Sequence, residues 1–292
     1  MDKLVDTLKG YKSYNKNNPF LLKGMNRALD RIIKAVNCRE KIVIYGYYDF
    51  DGIAAISLLL LVLKFLNADV EYFIPDYLDK DRNINSYYIK NHINFLGAGL
   101  IITVGCGVNS VEQVELCNKL DIDTIITDYH KCDSVLPNCI VVNPNQIGCS
   151  YPFKDLSASG VAHKLVEAMS LYYKMKCVNK FMDLVMLGTI SNHNTIKEEN
   201  LYILKQGLKA LTNTNNYGLK ALLKANNINK DNIDVYDLKS LTYSISKVTL
   251  PINKIDNARI VVELFTTTNE DRANQIAKYL KNEIYFNKHN KI

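Results

Sequence analysis

The sequence predicts an α/β fold: a mostly parallel five-stranded sheet flanked by helices, with a helical C-terminal appendage. Two observations predict it. Between residues 41 and 144, short apolar runs rich in Ile and Val alternate with helix-length segments through short connections. That alternation is the signature of parallel strands joined by crossover helices. From about Leu156 onward the strand-like runs cease and the periodicity turns mainly helical. The chain therefore divides into an α/β domain over residues 1–195 and a helical appendage over 196–292 that continues it. "TNTNNYG" and "SNHNTIKEEN" compete as the break.

Residues 20–36 carry Leu21, Leu22, Met25, Leu29, Ile32, Ile33 and Val36 at helical spacing, which predicts one amphipathic helix. "KIVIYG" is a short apolar strand, and a long apolar helix follows Gly52. "VEYFIP" is the second strand, and Pro75 with "DYLDKDRNINS" makes a loop. "YYIKNHINFLG" reads as a helix ending at Gly97 or Gly99. "LIITVG" is the third strand, "SVEQVELCNKL" a helix, "DTIIT" the fourth strand and "CIVVNP" the fifth. "ASGVAHKLVEAMSLYYKM", "KFMDLVMLGTI", "KEENLYILKQGLKALTN" and "NEDRANQIAKYLKNEIYF" are helices. In parallel sheets ligands gather at the carboxyl ends of the strands. Three segments lie there: "YYDFDG", "GCGVNS" and "DYHKCD".

Composition sets the outer limits. A chain of 292 residues, 48% of them hydrophobic, fills a core easily. A net charge of +6 permits contact with a polyanion without establishing it. The cysteines, Cys38, Cys106, Cys117, Cys132, Cys139, Cys149 and Cys177, are scattered with no CxxC spacing. They read as reduced thiols in a cytoplasmic protein. No N-terminal stretch joins a basic flank, an apolar core and a cleavage site. The longest apolar run, "GIAAISLLLLVLKFLNADV", is interrupted by Lys64 and reads as a buried helix, so no membrane partner is expected.

Asp49 and Asp51 stand two apart at a strand end, so both point into one cleft while Phe50 points away. Two such carboxylates can hold Mg2+ or Mn2+ with water. A solvated loop accounts for an isolated pair equally well. Asp128 and His130 follow another strand, His130 being open to a structural or a ligand role.

Several segments in order resemble the DHH phosphoesterases, specifically their RecJ-like branch. "IVIYGYYDFDGIAA" is similar to the family's strand–GDYDxDG–helix motif. "LIITVGCGV" resembles its strand followed by Asp, Cys or Asn, and Gly. "TDYHKCDSVLPNCIVVNPNQ" resembles the Asp-His-His segment with its LP and VNP. "YPFKDLSASGVAHKL" and "LVMLGTISNHNTIKEENLYILKQGL" are similar to the elements that follow. The resemblance implies a single-strand 5′-to-3′ exonuclease in which two Mn2+ or Mg2+ ions share a bridging carboxylate and activate a water.

Carried over residue by residue, the implied site is depleted. Asp49 and Asp51 match the two metal-binding acids, and Asp128 and His130 remain, His130 facing substrate phosphate. Tyr47 replaces an acid, Gly105 the bridging Asp, Tyr129 the first His and Asn192 the last Asp. Gly105 offers no side-chain oxygen, the Tyr129 phenol stays protonated near neutral pH, and Asn192 has lost the charge. The Gly-Tyr-Gly loop element is absent from "NINSYYI". The late Arg-Ile-Asn-Ala-Ala-Gly-Arg element survives only as "LPINKIDNARI". The chain ends where a linker to the DHH-associated domain is expected.

A phosphate track could use Arg82, Lys131 and Lys154, with Lys80, or the backbone amides of Ser159 and Gly160 at a helix start; a solvated rim and close helix packing are the plain alternatives. Tyr47, Tyr48, Tyr77, Tyr87, Tyr88 and Tyr129 either fill vacated space or stack on bases. These expectations describe a degenerate RecJ-like protein with no required cofactor. It would be a scaffold or single-stranded nucleic-acid-binding subunit beside a protein partner in DNA replication or repair, as the RecJ-like subunit of the eukaryotic replicative helicase is. The rivals are a metal-dependent exonuclease or small phosphodiesterase using Asp49 and Asp51, and a nucleotide sensor.

Overall fold

The computed structural model describes residues 16–75, 82–176, 178–192, 197–230, 232–249 and 256–289. Its centre is a five-stranded, all-parallel sheet in the order β2-β1-β3-β4-β5. The strands are β1 (Lys41–Gly46), β2 (Val70–Phe73), β3 (Ala98–Val104), β4 (Asp123–Thr127) and β5 (Ile140–Val142). The strand order reverses between β1 and β3, so a crevice opens beyond their carboxyl ends.

Side chains alternate across the sheet as a two-residue period requires. Ile42 and Ile44 of β1, with Leu100, Ile102 and Val104 of β3, face the larger core. Val43, Tyr45 and Ile101 face the smaller one. The larger core is closed by α1 (Met25–Cys38), α2 (Phe50–Phe65) and α5 (Ala158–Tyr172). The smaller is closed by α3 (Ser86–Tyr88), which continues as a π-helical turn (Ile89–Ile93), and by α4 (Val111–Lys119).

Helix α2 is apolar around its circumference because it is buried around its circumference. One side meets the sheet and the other meets α6 (Met182–Asn192), α9 (Val235–Val248) and α10 (Asn257–Thr266). Phe50 meets Phe265 edge-on with ring centroids 5.7 Å apart. The larger core thus runs on through α7 (Glu199–Thr212), α8 (Tyr217–Ala225) and α11 (Glu270–His289). Truncating a buried leucine in this layer, Leu58→Ala for instance, should cost about 2–5 kcal/mol. No described helix is long and apolar enough to cross a membrane.

One helix differs from expectation. The helix expected over residues 20–36 is a 3-10 turn, Pro19–Leu21, followed by α1 starting at Met25. Gly24 separates them at φ 88, and any side chain there would strike the carbonyl of Val141. The apolar spacing runs through the break because Leu22 and Met25 are both buried in the same core. Several sequence readings lie outside the described residues: Tyr77, Lys80, Cys177, most of "NHNTI", and Pro251, Ile252 and Asn253.

Candidate functional site

The crevice is built by three strand ends and the N-terminus of α5. Beyond β1, Asp49 caps α2, its Oδ1 accepting from Gly52 N at 2.8 Å. Asp51 lies in the first turn and is buried. Beyond β3 comes Gly105, and beyond β4 come Asp128, Tyr129 and His130. Asn192 arrives at the end of α6.

Asp51 is held by three donors. Its Oδ2 accepts from Ala158 N at 2.8 Å and Asn192 Nδ2 at 3.0 Å, and its Oδ1 from Ser159 N at 2.9 Å. The two amides are the open N–H groups of α5, where the helix dipole also favours a negative charge. Burial raises the Asp51 carboxyl above its ordinary pKa; Asp49 adds to this, and the Ser159 and Ala158 bonds oppose it. The missing side chain of Gly188 leaves room for this arrangement, since a Cβ there would lie 2.9 Å from Asp51 Oδ1.

Asn192 bridges two groups, its Nδ2 also donating to the Tyr129 hydroxyl at 2.8 Å. Burial, with Asp51 next, pushes the Tyr129 phenol well above its ordinary pKa, so the ring stays neutral. Tyr129 lies against His130 with ring centroids 4.2 Å apart and the planes tilted by 31°. His130 Nδ1 lies 2.7 Å from Asp128 Oδ1. Asp128 is itself buried and accepts from Val108 N, Tyr129 N and His130 N. It organises the loop rather than opening toward the crevice. Asn143 and Asn145 fix the same turn by donating to the carbonyls of His130 and Tyr129.

Asp49, on the outer side, pairs with Arg82 through Oδ2 at 2.6 Å. The Arg82 guanidinium lies 5.4 Å from the centre of the Tyr47 ring. Tyr47 is buried, and its hydroxyl reaches Asn83 O at 3.4 Å. Gly105 sits at φ 64, a backbone region that favours glycine. A Cβ there would lie 2.7 Å from Ala158 Cβ, so an acid at this position requires the start of α5 to move.

Asp49, Asp51, Gly105, Tyr129 and Asn192 therefore meet in one place, with Tyr47, Asp128 and His130 adjoining. The residues read as a phosphate track are placed differently. Arg82 faces Asp49. Lys154 braces its own loop, donating to Pro144 O at 2.6 Å and Cys149 O at 3.1 Å. Ser159 N is taken by Asp51, and Gly160 N donates to Ser157 Oγ. Among the described ones, Lys131 alone is exposed without such a role. Tyr87 and Tyr88 belong to a separate aromatic group with Phe73 and His92. Sequence reading missed Ser246, whose Oγ accepts from Phe50 N at 3.3 Å, and the pairing of Asp51 with Ala158. Neither carries a local sequence signal.

Among the described residues no three Asp, Glu, His or Cys side chains are grouped so as to hold a metal ion. Residues 41–189 match the family model described as DHH family, N-terminal domain. The chain is 34% identical over 261 residues to the single-stranded-DNA-specific exonuclease RecJ of Bacillus subtilis, covering 89% of this chain and 32% of that protein. It superposes on the crystal structure of RecJ in complex with Mn2+ from Thermus thermophilus with a TM-score of 0.79 at 21% identity, covering 96% of this chain and 40% of the other. A crystal structure of exonuclease RecJ bound to manganese gives a TM-score of 0.81 at 22% identity, covering 91% and 67%. At these identities the superpositions speak for the fold. The chain spans between 32% and 50% of the length of the first curated relatives it matches. With the family model spanning half the chain and the α/β sheet in place beneath it, this protein belongs to the DHH family and is a homologue of RecJ.

Proposed function

We propose that this chain is a RecJ-like domain that works without catalysis, as a scaffold or single-stranded nucleic-acid-binding subunit of a DNA replication or repair assembly. Residues 1–195 form its α/β unit and 196–292 its helical extension. The observation that carries the reading is the state of Asp51. Both its oxygens already accept hydrogen bonds from groups of the protein itself.

The donor set does not fit a bridged metal pair. The bridging position is Gly105, with Ala158 filling the space a side chain would need. Asp49 is committed to Gly52 and Arg82. Tyr129 is a neutral phenol, and Asn192 presents its NH2 group to the crevice centre, a donor that repels a cation. Hydrolysis by two ions requires carboxylate oxygens and an imidazole nitrogen free to coordinate at these points. Asp49, Asp51, Asp128 and His130 are then structural remnants, and no cofactor is required.

A second reading, a metal-dependent exonuclease, draws on the persistence of Asp49 and Asp51 and on the RecJ relatives. One assay separates the two: a 5′-labelled single-stranded oligonucleotide incubated with the protein and excess Mn2+ or Mg2+. The oligonucleotide should stay full length. Shortening that needs metal and disappears in Asp51→Ala would restore the exonuclease reading. Any binding of the same strand should rest on exposed cations such as Lys131, weaken steeply with salt and survive chelator.

A further inference from the structure

We propose that Arg82 is a resident cation that occupies the place of a metal ion at Asp49. The inference rests on the reading of the site as non-catalytic and says what took over the metal's electrostatic work. Two carboxylates in one crevice repel each other unless a positive charge lies between or beside them. Here that charge is a side chain. Arg82 Nη2 meets Asp49 Oδ2 at 2.6 Å while Gly52 N holds Oδ1.

Three further observations support a built arrangement. The guanidinium lies 5.4 Å from the centroid of Tyr47, and an aromatic ring near a cation is attractive. The ring stands where the family motif has an acid, so loss of a metal ligand and gain of a seat for arginine are one substitution. The backbone of Arg82 is held in the left-handed region at φ 51, which costs energy in a non-glycine residue. Its neighbours fix it there. Arg82 O accepts from Gly107 N at 2.9 Å, and Ser110 Oγ accepts from Ile84 N and donates to Asn83 Oδ1. The anchor, the loop of residues 107–110, follows β3 and is the same loop that Asp128 grips through Val108 N. Burial works against the Arg82 charge, but the Asp49 carboxylate, by its charge and its bond, outweighs it, so the guanidinium remains charged.

An arginine differs from a metal ion in a way that can be measured: chelator does not remove it. The test is the melting temperature of the full chain in EDTA and then in MnCl2, for wild type, Arg82→Ala, Arg82→Lys and Arg82→Ala with Asp49→Asn. Wild type and Arg82→Lys should melt alike in both solutions. Arg82→Ala should melt roughly 2–4 °C lower in EDTA and regain part of that loss with Mn2+, because Asp49 is then bare. Removing both charges should restore the melting temperature in EDTA and abolish the response to Mn2+. Should Arg82→Ala fail to fold, Arg82→Gln serves in its place, and folding of the double variant under the same conditions supports the proposal. The proposal is overturned if Arg82→Ala melts with wild type in EDTA, or if Mn2+ stabilises wild type as much as Arg82→Ala. Metal-dependent cleavage of DNA by wild type would instead defeat the non-catalytic reading, and the oligonucleotide assay reports that separately.

Discussion

Two clusters of buried and half-buried carboxylates in this protein are neutralised by different means. Beneath α5, Lys164 sits between Glu167 and Glu199, 2.7 Å from each. Lys16 adds a second cation at 2.9 Å from Glu167, and Tyr151 and Asn17 donate to Glu199. Two acids meet two bases, and every carboxylate oxygen accepts at least one hydrogen bond. At the other cluster, Asp51 is served by two helix amides and an asparagine, and only its neighbour Asp49 has a cation. The first cluster is an ion lattice with balanced charge. The second is a carboxylate held by dipoles. On the non-catalytic reading proposed above, the contrast is how a crevice expected to hold dications is made stable without them: backbone donors stand in for coordination, and a neutral amide stands where the family has an acid.

Breaking the lattice should give the largest effect. Lys164→Ala leaves Glu167 and Glu199 buried beside too little positive charge, and should cost about 3–5 kcal/mol in urea unfolding. A loss under 1 kcal/mol would mean that water enters the cluster and the comparison is overstated.

The two clusters should also respond oppositely to pH. His163, buried next to the lattice, has its pKa lowered by burial to about 4 from the ordinary 6.5. The unfolded chain takes up that proton first. The stability due to His163 is therefore complete above pH 6.5 and is lost as pH falls toward 4, by at most about 3 kcal/mol. Asp51 has its carboxyl raised, chiefly by burial, so its contribution weakens as pH rises above 3.8. Unfolding at pH 7 and pH 5 should show wild type losing stability and His163→Gln losing less. Equal losses would remove His163 from the account.

Within the second cluster, Asp51→Ala strands two helix amides, and a loss of about 1–3 kcal/mol is expected from the unsatisfied donors. Tyr129→Phe deletes one acceptor while Asn192 keeps Asp51, so about 0.5–1.5 kcal/mol should be lost. If Tyr129→Phe proved the more costly of the two, the cluster would be centred on the phenol rather than on Asp51.

Much of this was legible in the sequence. The five strands announced themselves because a buried parallel strand is a continuous apolar run, as in "KIVIYG" and "LIITVG". The four substituted positions, Tyr47, Gly105, Tyr129 and Asn192, were visible against the family motifs. What was not legible was the set of contacts that compensates them. Asp51 and Ser159 lie 108 residues apart, and nothing local says that a helix N-terminus will meet that carboxylate. Arg82 looked like one basic residue in a polar loop, and its pairing with Asp49 depends on how that loop is tied to residues 107–110. Gly24 escaped because the apolar period runs straight through it. Lys164 and Glu167 are visible as a pair three apart, whereas Lys16 and Glu199 join them only through the fold.

The central claim is that the crevice is filled by the protein's own donors and cation. Crystals grown with Mn2+ and measured at the manganese absorption edge test it most directly. The expected map has no anomalous peak between Asp49 and Asp51, with Arg82 on Asp49 and Asn192 on Asp51. Two peaks a few ångströms apart, with Arg82 turned away and Asp51 drawn off the α5 amides, would contradict it.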